Sequence, residues 1–190
     1  MVDQFIDRTF KREKSFFGKG CVAHVSVADP ICNRLSTLAG EAAKRAGATI
    51  HKGGTYLAME GPQFSTKAES HMYRAWGCDV IGMTNMPEAK LAREAELPYA
   101  TMAMVTDYDC WHDGHGSVDV ASVIAILQQN SATGAKAVLE LTKKLGSIER
   151  TSCPSGIDTN LDVAIITPPE ARDPKLMAKL DAVAGRVLKS

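Results

Sequence analysis

Hydrophobic and polar positions alternate along this chain between short apolar runs and longer stripes at helical spacing. The runs at 21–28, 55–59, 80–83 and 99–106 have the length and β-branched content of buried strands. Between them, Ile31, Leu35, Leu38 and Ala42 recur on one helical face after Asp29-Pro30. That dipeptide is a candidate N-cap followed by proline at the first helical position, and Gly47 is a natural stop. Thr66-x-x-Glu69 has the form of a capping box and predicts a helix running to Trp76 and Gly77. A further helix is predicted over 87–95. One long helix is predicted from Ser117 to about Leu145, with Gly134 as a weak point. Residues 11–20 read as a basic, glycine-containing loop and 151–160 as a Ser/Pro/Gly linker. A short apolar run at 163–166 and an amphipathic helix from about Pro174 close the chain. Strands alternating with helices predict an α/β fold with a largely parallel sheet, as a single domain over residues 1–190.

Composition narrows the function classes. The chain has 190 residues, 45% of them hydrophobic, which is enough for one core of ordinary size. Twenty-two basic residues balance 22 acidic ones, so no overall field draws the chain to nucleic acid or to an anionic membrane. The five cysteines, at 21, 32, 78, 110 and 153, form no C-x-x-C pair. With an opening that lacks a basic and apolar leader, they predict reduced thiols in a cytoplasm. No apolar run is long enough to span a bilayer.

The densest candidate chemistry lies at Met104-Val-Thr-Asp-Tyr-Asp-Cys-Trp111. An apolar strand here would end in Asp107 and Asp109, which in an extended chain point to the same side. An α/β sheet places ligand-reading groups at such strand ends. Ionised carboxylates accept and protonated ones donate, which suits a purine edge carrying both an acceptor and an amino group. A solvated loop explains the same two acids without a ligand.

Two further motifs change the picture. Met59-Glu-Gly-Pro-Gln-Phe-Ser-Thr-Lys-Ala-Glu-Ser70 and Val80-Ile-Gly-Met-Thr-Asn-Met-Pro-Glu88, taken with the Asp107 segment and the opening Val2-Asp-Gln-Phe-Ile-Asp-Arg-Thr9, resemble the purine nucleoside phosphorylase family. Within it they resemble the enzymes that act on S-methyl-5'-thioadenosine. The resemblance runs in one register over essentially the whole chain. It implies the family's central mixed or parallel sheet flanked by helices. It also implies that the chain corresponds to the C-terminal portion of a phosphorylase domain, because family members carry an N-terminal segment with a glycine-rich loop and phosphate-binding Arg and His.

The activity implied by the resemblance is phosphorolysis of S-methyl-5'-thioadenosine to adenine and 5-methylthioribose 1-phosphate, with inorganic phosphate as co-substrate and no cofactor. Asp107 would bond N7 of the departing base and Asp109 the 6-amino group. The 6-oxopurine phosphorylases carry Asn at the position of Asp107 and Glu at that of Ser65, so this pair favours a 6-aminopurine. Phe64 would pack on the purine face, Met83 against the ribose, and Thr84 on phosphate. Val120 and Val123 would line the apolar 5'-alkylthio pocket, and His24 would sit near that pocket, reaching a neighbouring subunit's site. A homo-oligomer, a trimer, is implied in the same way. The alternatives are a phosphorylase of methylthioinosine or ordinary purine nucleosides, and a catalytically incompetent fragment of such an enzyme.

Read without the resemblance, Phe64, Met83, Val120 and Val123 are ordinary core residues, Thr84 an unremarkable strand-end residue, and His24 a structural histidine. His112-Asp-Gly-His115 has no second ligand cluster at zinc-like spacing, so no metal is expected. Lys11, Arg12 and Lys14 are expected to form a solvated loop rather than a nucleic-acid site.

Overall fold

The computed structural model describes residues 1–112 and 120–189, with the side chains of Val120 and Ser122 excluded. Its centre is a parallel three-stranded sheet of β1 (Gln4–Asp7), β2 (Thr55–Ala58) and β3 (Cys78–Gly82), in the order β1-β2-β3. Register runs Gln4 opposite Thr55 and Ala58 opposite Gly82. Parallel neighbours require crossovers. They are supplied by α1 (Asn33–Arg45) between β1 and β2 and by α2 (Lys67–Ala75) between β2 and β3. After β3 come α3 (Glu88–Glu94), the 27-residue α4 (Val120–Gly146) and α5 (Pro174–Leu188).

Several expected elements form for the expected reason. Thr66 caps α2: its hydroxyl accepts from the Glu69 N–H at 3.2 Å, while the Glu69 carboxylate accepts from the Thr66 N–H at 2.7 Å. The helix expected from about Pro174 forms as α5, and the structure adds its cap, Asp173. Gly47 ends α1 at φ +94°, a conformation costly to a residue with a Cβ. Gly134 does not break α4. Its missing Cβ lets Met104 approach, for a Cβ there would lie 3.2 Å from the Met104 sulfur. The face of α1 carrying Ala39, Gly40, Ala42 and Ala43 is buried, and small residues let it pack closely on α4.

Other expectations are corrected. β1 forms where no strand was expected. Its four residues give too short a pattern to read alone, and pairing with buried β2 stabilises it. Residues 21–28 form no strand: Cys21 bridges Gly18, and Ala23 bridges Ile165 in the apolar run at 163–166. Residues 99–106 likewise contribute only a bridge from Thr101 to Val2. The first helix starts at Asn33 rather than after Asp29, because the Cys32 N–H is taken by the Tyr99 carbonyl at 2.8 Å and Pro30 and Ile31 are buried before it. The linker expected at 151–160 holds a 3-10 turn (Ile157–Thr159), with Cys153 and Ile157 buried against Cys32.

The basic loop is not simply solvated. The Arg12 guanidinium donates to the carbonyls of Met59, Glu60 and Met86, which follow strand and turn ends that no ladder satisfies. Lys14 reaches Asp7 at 3.0 Å.

Asp7, at the end of β1, accepts from the Thr9 N–H and hydroxyl at 2.9 and 2.6 Å and also from Lys90. Burial opposes its ionisation, but Lys90, Thr9 and Lys14 outweigh burial and hold its carboxyl well below the usual carboxylate range. A depressed folded value means that this stabilisation is complete above the unfolded value of about 4 and fades as pH falls below it. Asp7→Asn is expected to cost about 1–2 kcal/mol near neutral pH in urea melts. The gap from the wild-type chain should narrow as pH drops below about 4. A gap independent of pH would show that the carboxylate charge contributes nothing.

Candidate active site

The C-terminal ends of β2 and β3 open onto a cavity of about 970 Å³. Such crevices beyond the carboxyl ends of parallel strands are where α/β proteins bind ligands. β2 brings Tyr56 to it, and the chain just beyond β3 brings Met83 and Thr84. The loop after β2 brings Phe64 and Ser65, α2 brings Ser70 and Arg74, and α4 brings Val123. The segment from Thr101 to Trp111 forms the remaining wall and carries Asp107 and Asp109.

The two acids share the cavity, but not as alternate positions of an extended strand. The chain turns at Asp109, whose φ is +62°. Asp is among the residues that tolerate this left-handed conformation. Asp107 Oδ1 accepts the Asp109 N–H at 2.8 Å, closing an Asx-type turn, and its Oδ2 accepts from the Thr106 hydroxyl at 2.6 Å. Asp109 Oδ2 in turn accepts from the Ser70 hydroxyl at 2.6 Å. Ser70 is buried on capped α2, so a rigid helix holds one acid and the turn couples it to the other. Asp107 is exposed and Asp109 half-buried.

The aromatic wall is uncovered. Phe64 is 62% exposed although it lines the cavity, leaving a ring face open to a flat partner. Elsewhere on the wall, Arg74 stacks its guanidinium on Trp111 at 3.6 Å from the ring centroid, and Tyr108 meets Trp111 edge-on. Cys110 donates to the Ser65 carbonyl at 3.6 Å. Burial, followed by the Asp109 charge, pushes its thiol up, so it stays protonated.

Sequence reasoning missed Tyr56, Ser70 and Arg74. The Tyr56 hydroxyl lies 3.1 Å from the Thr84 hydroxyl and also accepts the Thr84 N–H at 3.4 Å. It reaches them by crossing Gly82, where a Cβ would lie 2.0 Å from the tyrosine oxygen. A glycine inside a strand run signals such a close approach. Asn85, at φ +70°, accepts from the hydroxyls of Tyr99 and Thr101 at 2.9 and 2.8 Å and fixes the turn that presents Thr84.

A sequence model of the phosphorylase superfamily matches residues 1–143. The chain belongs to the phosphorylase superfamily. It is 64% identical over 189 residues to the S-methyl-5'-thioadenosine phosphorylase of Cereibacter sphaeroides, and 60% identical over 189 residues to that of Bradyrhizobium diazoefficiens. Each match covers 100% of this chain and 65% of the relative, so the chain spans just under two-thirds of the length of these relatives. Among solved structures, it is similar to a methylthioadenosine phosphorylase from an antarctic soil metagenomic library. There the TM-score is 0.82 and the identity 44%, over 96% of this chain and 63% of the other. It is also similar to the methylthioadenosine phosphorylase of Schistosoma mansoni in complex with adenine. That match has a TM-score of 0.74 and 31% identity, over 84% and 62% of the two chains.

Of the residues singled out in this superfamily member, Phe64, Ser65, Met83, Thr84, Asp107, Asp109 and Val123 line the one cavity. His24 does not. It is exposed, and its backbone N–H bonds the Ala164 carbonyl at 2.9 Å. Val120 begins α4, but its side chain lies outside the described residues, as do Asp113, Gly114 and His115 of the His112–His115 motif. Among the described residues there is no group of three or more His, Cys, Asp and Glu placed to hold a metal, and no helix long and apolar enough to cross a membrane.

Ser70→Ala removes the hydroxyl that holds Asp109 Oδ2. We expect a loss of about 1–3 kcal/mol in urea melts, because a charged acceptor loses its partner. Unchanged stability would mean that the contact contributes nothing to holding the site.

Proposed function

We propose that this cavity takes the purine and thioribose of S-methyl-5'-thioadenosine, and that the reaction is phosphorolysis to adenine and 5-methylthioribose 1-phosphate. The observation that carries the reading is the Asx-type turn that puts Asp107 and Asp109 into one cavity with the open face of Phe64. The names of the relatives and the adenine bound in the Schistosoma mansoni structure support it.

In this reading the difficult event is departure of the base from C1', which leaves positive charge on the ribose. Asp107 shares a proton with N7 as negative charge develops on the purine, which is general-acid work. Asp109, held by Ser70, accepts from the 6-amino group. A 6-oxo group would face these carboxylates as acceptor against acceptor, so methylthioinosine and the 6-oxopurine nucleosides are the disfavoured alternative. Phe64 stacks on the base and Ser65 lies at its edge. Met83 packs on the ribose, and Thr84, oriented by Tyr56, donates to phosphate. Val120 and Val123 line the alkylthio pocket. Phosphate is the co-substrate and no cofactor or metal takes part. We further propose a homo-oligomer, a trimer, in which exposed His24 serves a neighbouring subunit's site.

The test is adenine release from S-methyl-5'-thioadenosine by the 190-residue chain, with and without phosphate. Phosphate-dependent release that falls at least about 100-fold in Asp107→Asn is expected, in keeping with removal of a positioned general acid. Adenine binding without release by this chain would limit the proposal to purine recognition. Phe64→Ala should weaken adenine binding by about 1–3 kcal/mol in titration calorimetry. Absence of adenine binding by the wild-type chain would overturn the reading.

A further inference from the structure

Away from the cavity, two cysteines meet in a buried cluster of their own. Cys32 sits at the N-terminus of α1, and Cys153 belongs to the 151–160 segment. They lie 121 residues apart in sequence, yet both are buried, at 0% and 4% exposure, and they pack together with Ile157 and Leu35. The shared packing sets the two thiols side by side. Among the described residues, the other three cysteines have no such thiol partner: Cys21 and Cys78 feel no thiol neighbour, and Cys110 bonds Ser65.

The surroundings are built around sulfur. The Ser155 hydroxyl lies 3.3 Å from Cys153 Sγ, and the Cys153 carbonyl accepts the Gly156 N–H at 3.0 Å, so the chain turns tightly around this residue. Gly156, at φ +66°, makes that turn. The Asp158 carboxylate is engaged elsewhere: it accepts the Cys153 N–H and pairs with Arg150 at 2.6 Å. On the other side, the Arg34 guanidinium reaches the Thr151 hydroxyl at 2.8 Å and flanks Cys32. Its Nε–H is buried with no hydrogen-bond partner among the described residues.

We propose that Cys32 and Cys153 are a redox-active dithiol that closes to a disulfide when the chain meets a peroxide. Cys153 is the attacking thiol. Burial opposes its ionisation, but Cys32, the Ser155 hydroxyl and the backbone N–H groups of Ser155 and Ile157 outweigh burial and hold it below the ordinary thiol range. Burial, followed by the neighbouring Cys153, pushes the Cys32 thiol up against the opposing Leu35 N–H and Arg34, so it remains protonated until it is needed.

The electrons balance in two steps. The Cys153 thiolate attacks one peroxide oxygen, the O–O bond breaks, and the other oxygen leaves as an alcohol or water, which gives a sulfenic acid. The Cys32 sulfur then attacks the sulfenic sulfur, the S–O bond breaks, and water departs with the Cys32 proton. The sum is two thiols and one peroxide giving one disulfide, one alcohol and one water. A small thiol in excess reverses it by exchange. The product ties the start of α1 to the segment before α5 across a very long loop.

The test uses the 190-residue wild-type chain, treated with hydrogen peroxide in its native state. Remaining thiols are then alkylated in denaturant, and the peptides are mapped by mass spectrometry without reduction. A single cross-linked pair containing Cys32 and Cys153 is expected, with a mass loss of about 2 Da and with Cys21, Cys78 and Cys110 alkylated. A dithiol reagent should reverse it, and melting of the oxidised chain should shift upward by several degrees. In Cys32→Ser, a sulfenic acid at Cys153 should be captured by a cyclic 1,3-diketone; in Cys153→Ser, Cys32 should remain an alkylatable thiol. Circular dichroism establishes that each variant is folded. Full alkylation of both cysteines at a peroxide dose that oxidises any other cysteine would overturn the proposal, as would cross-linking of either one to a different cysteine.

Discussion

The polarity of the parallel sheet is the constraint on which the rest of the structure depends. β2 is paired on both sides, and both neighbours run in its direction. All three strands therefore deliver their last residues to the same edge. Tyr56 arrives near that edge from β2, and Met83 and Thr84 just beyond β3. The tyrosine hydroxyl crosses Gly82 to reach the threonine that follows the neighbouring strand. The buried character of β2 makes the register firm, because a slip of one residue would turn Leu57 from one face to the other.

A sheet this small leaves many backbone groups without ladder partners, and the chain satisfies them with charged side chains. Arg12 collects the carbonyls of Met59, Glu60 and Met86. Glu60 takes the N–H groups of Phe10 and Lys11 at 2.6 and 3.3 Å. Glu94 takes the Phe16 N–H at 2.6 Å and the Ser15 hydroxyl at the same distance. Buried backbone groups without partners would each cost free energy comparable to a lost hydrogen bond. The loop at 11–20 thus closes off the ends of β1 and β2 and helps to fix the turn from which the Phe64 loop departs.

The same division of labour governs the two acids of the cavity and the two thiols outside it. In each case a group on or at the end of a helix, Ser70 or Cys32, meets a side chain on an irregular segment, Asp109 or Cys153. Ser70 on α2 holds Asp109, while the turn closed by Asp107 sets the conformation of the segment. Cys32 at the start of α1 meets Cys153, while the turn at Gly156 follows the Ser155 hydroxyl that reaches the second sulfur. Helices fix position cheaply because their own hydrogen bonds are already made, and irregular segments supply directions that a helix or strand cannot.

The sequence by itself determined the helices and the family. Thr66-x-x-Glu69, Asp173-Pro174 and Gly47 carry their capping chemistry within a few residues, so local physics suffices for α2, α5 and the end of α1. The motifs around Phe64, Met83 and Asp107 likewise identified residues that line one cavity. Of the strands, the apolar runs at 55–59 and 80–83 were legible and form β2 and β3, whereas only the tertiary structure decided the others. Gln4–Asp7 becomes β1 because β2 is there to pair with it, whereas the more strand-like 21–28 and 99–106 find only isolated bridges. Strand formation depends on a partner distant in sequence, and no local pattern encodes the partner. Contacts across long separations were illegible for the same reason: Tyr56 over Gly82, Ser70 on Asp109, Arg12 on three carbonyls, and Cys32 against Cys153.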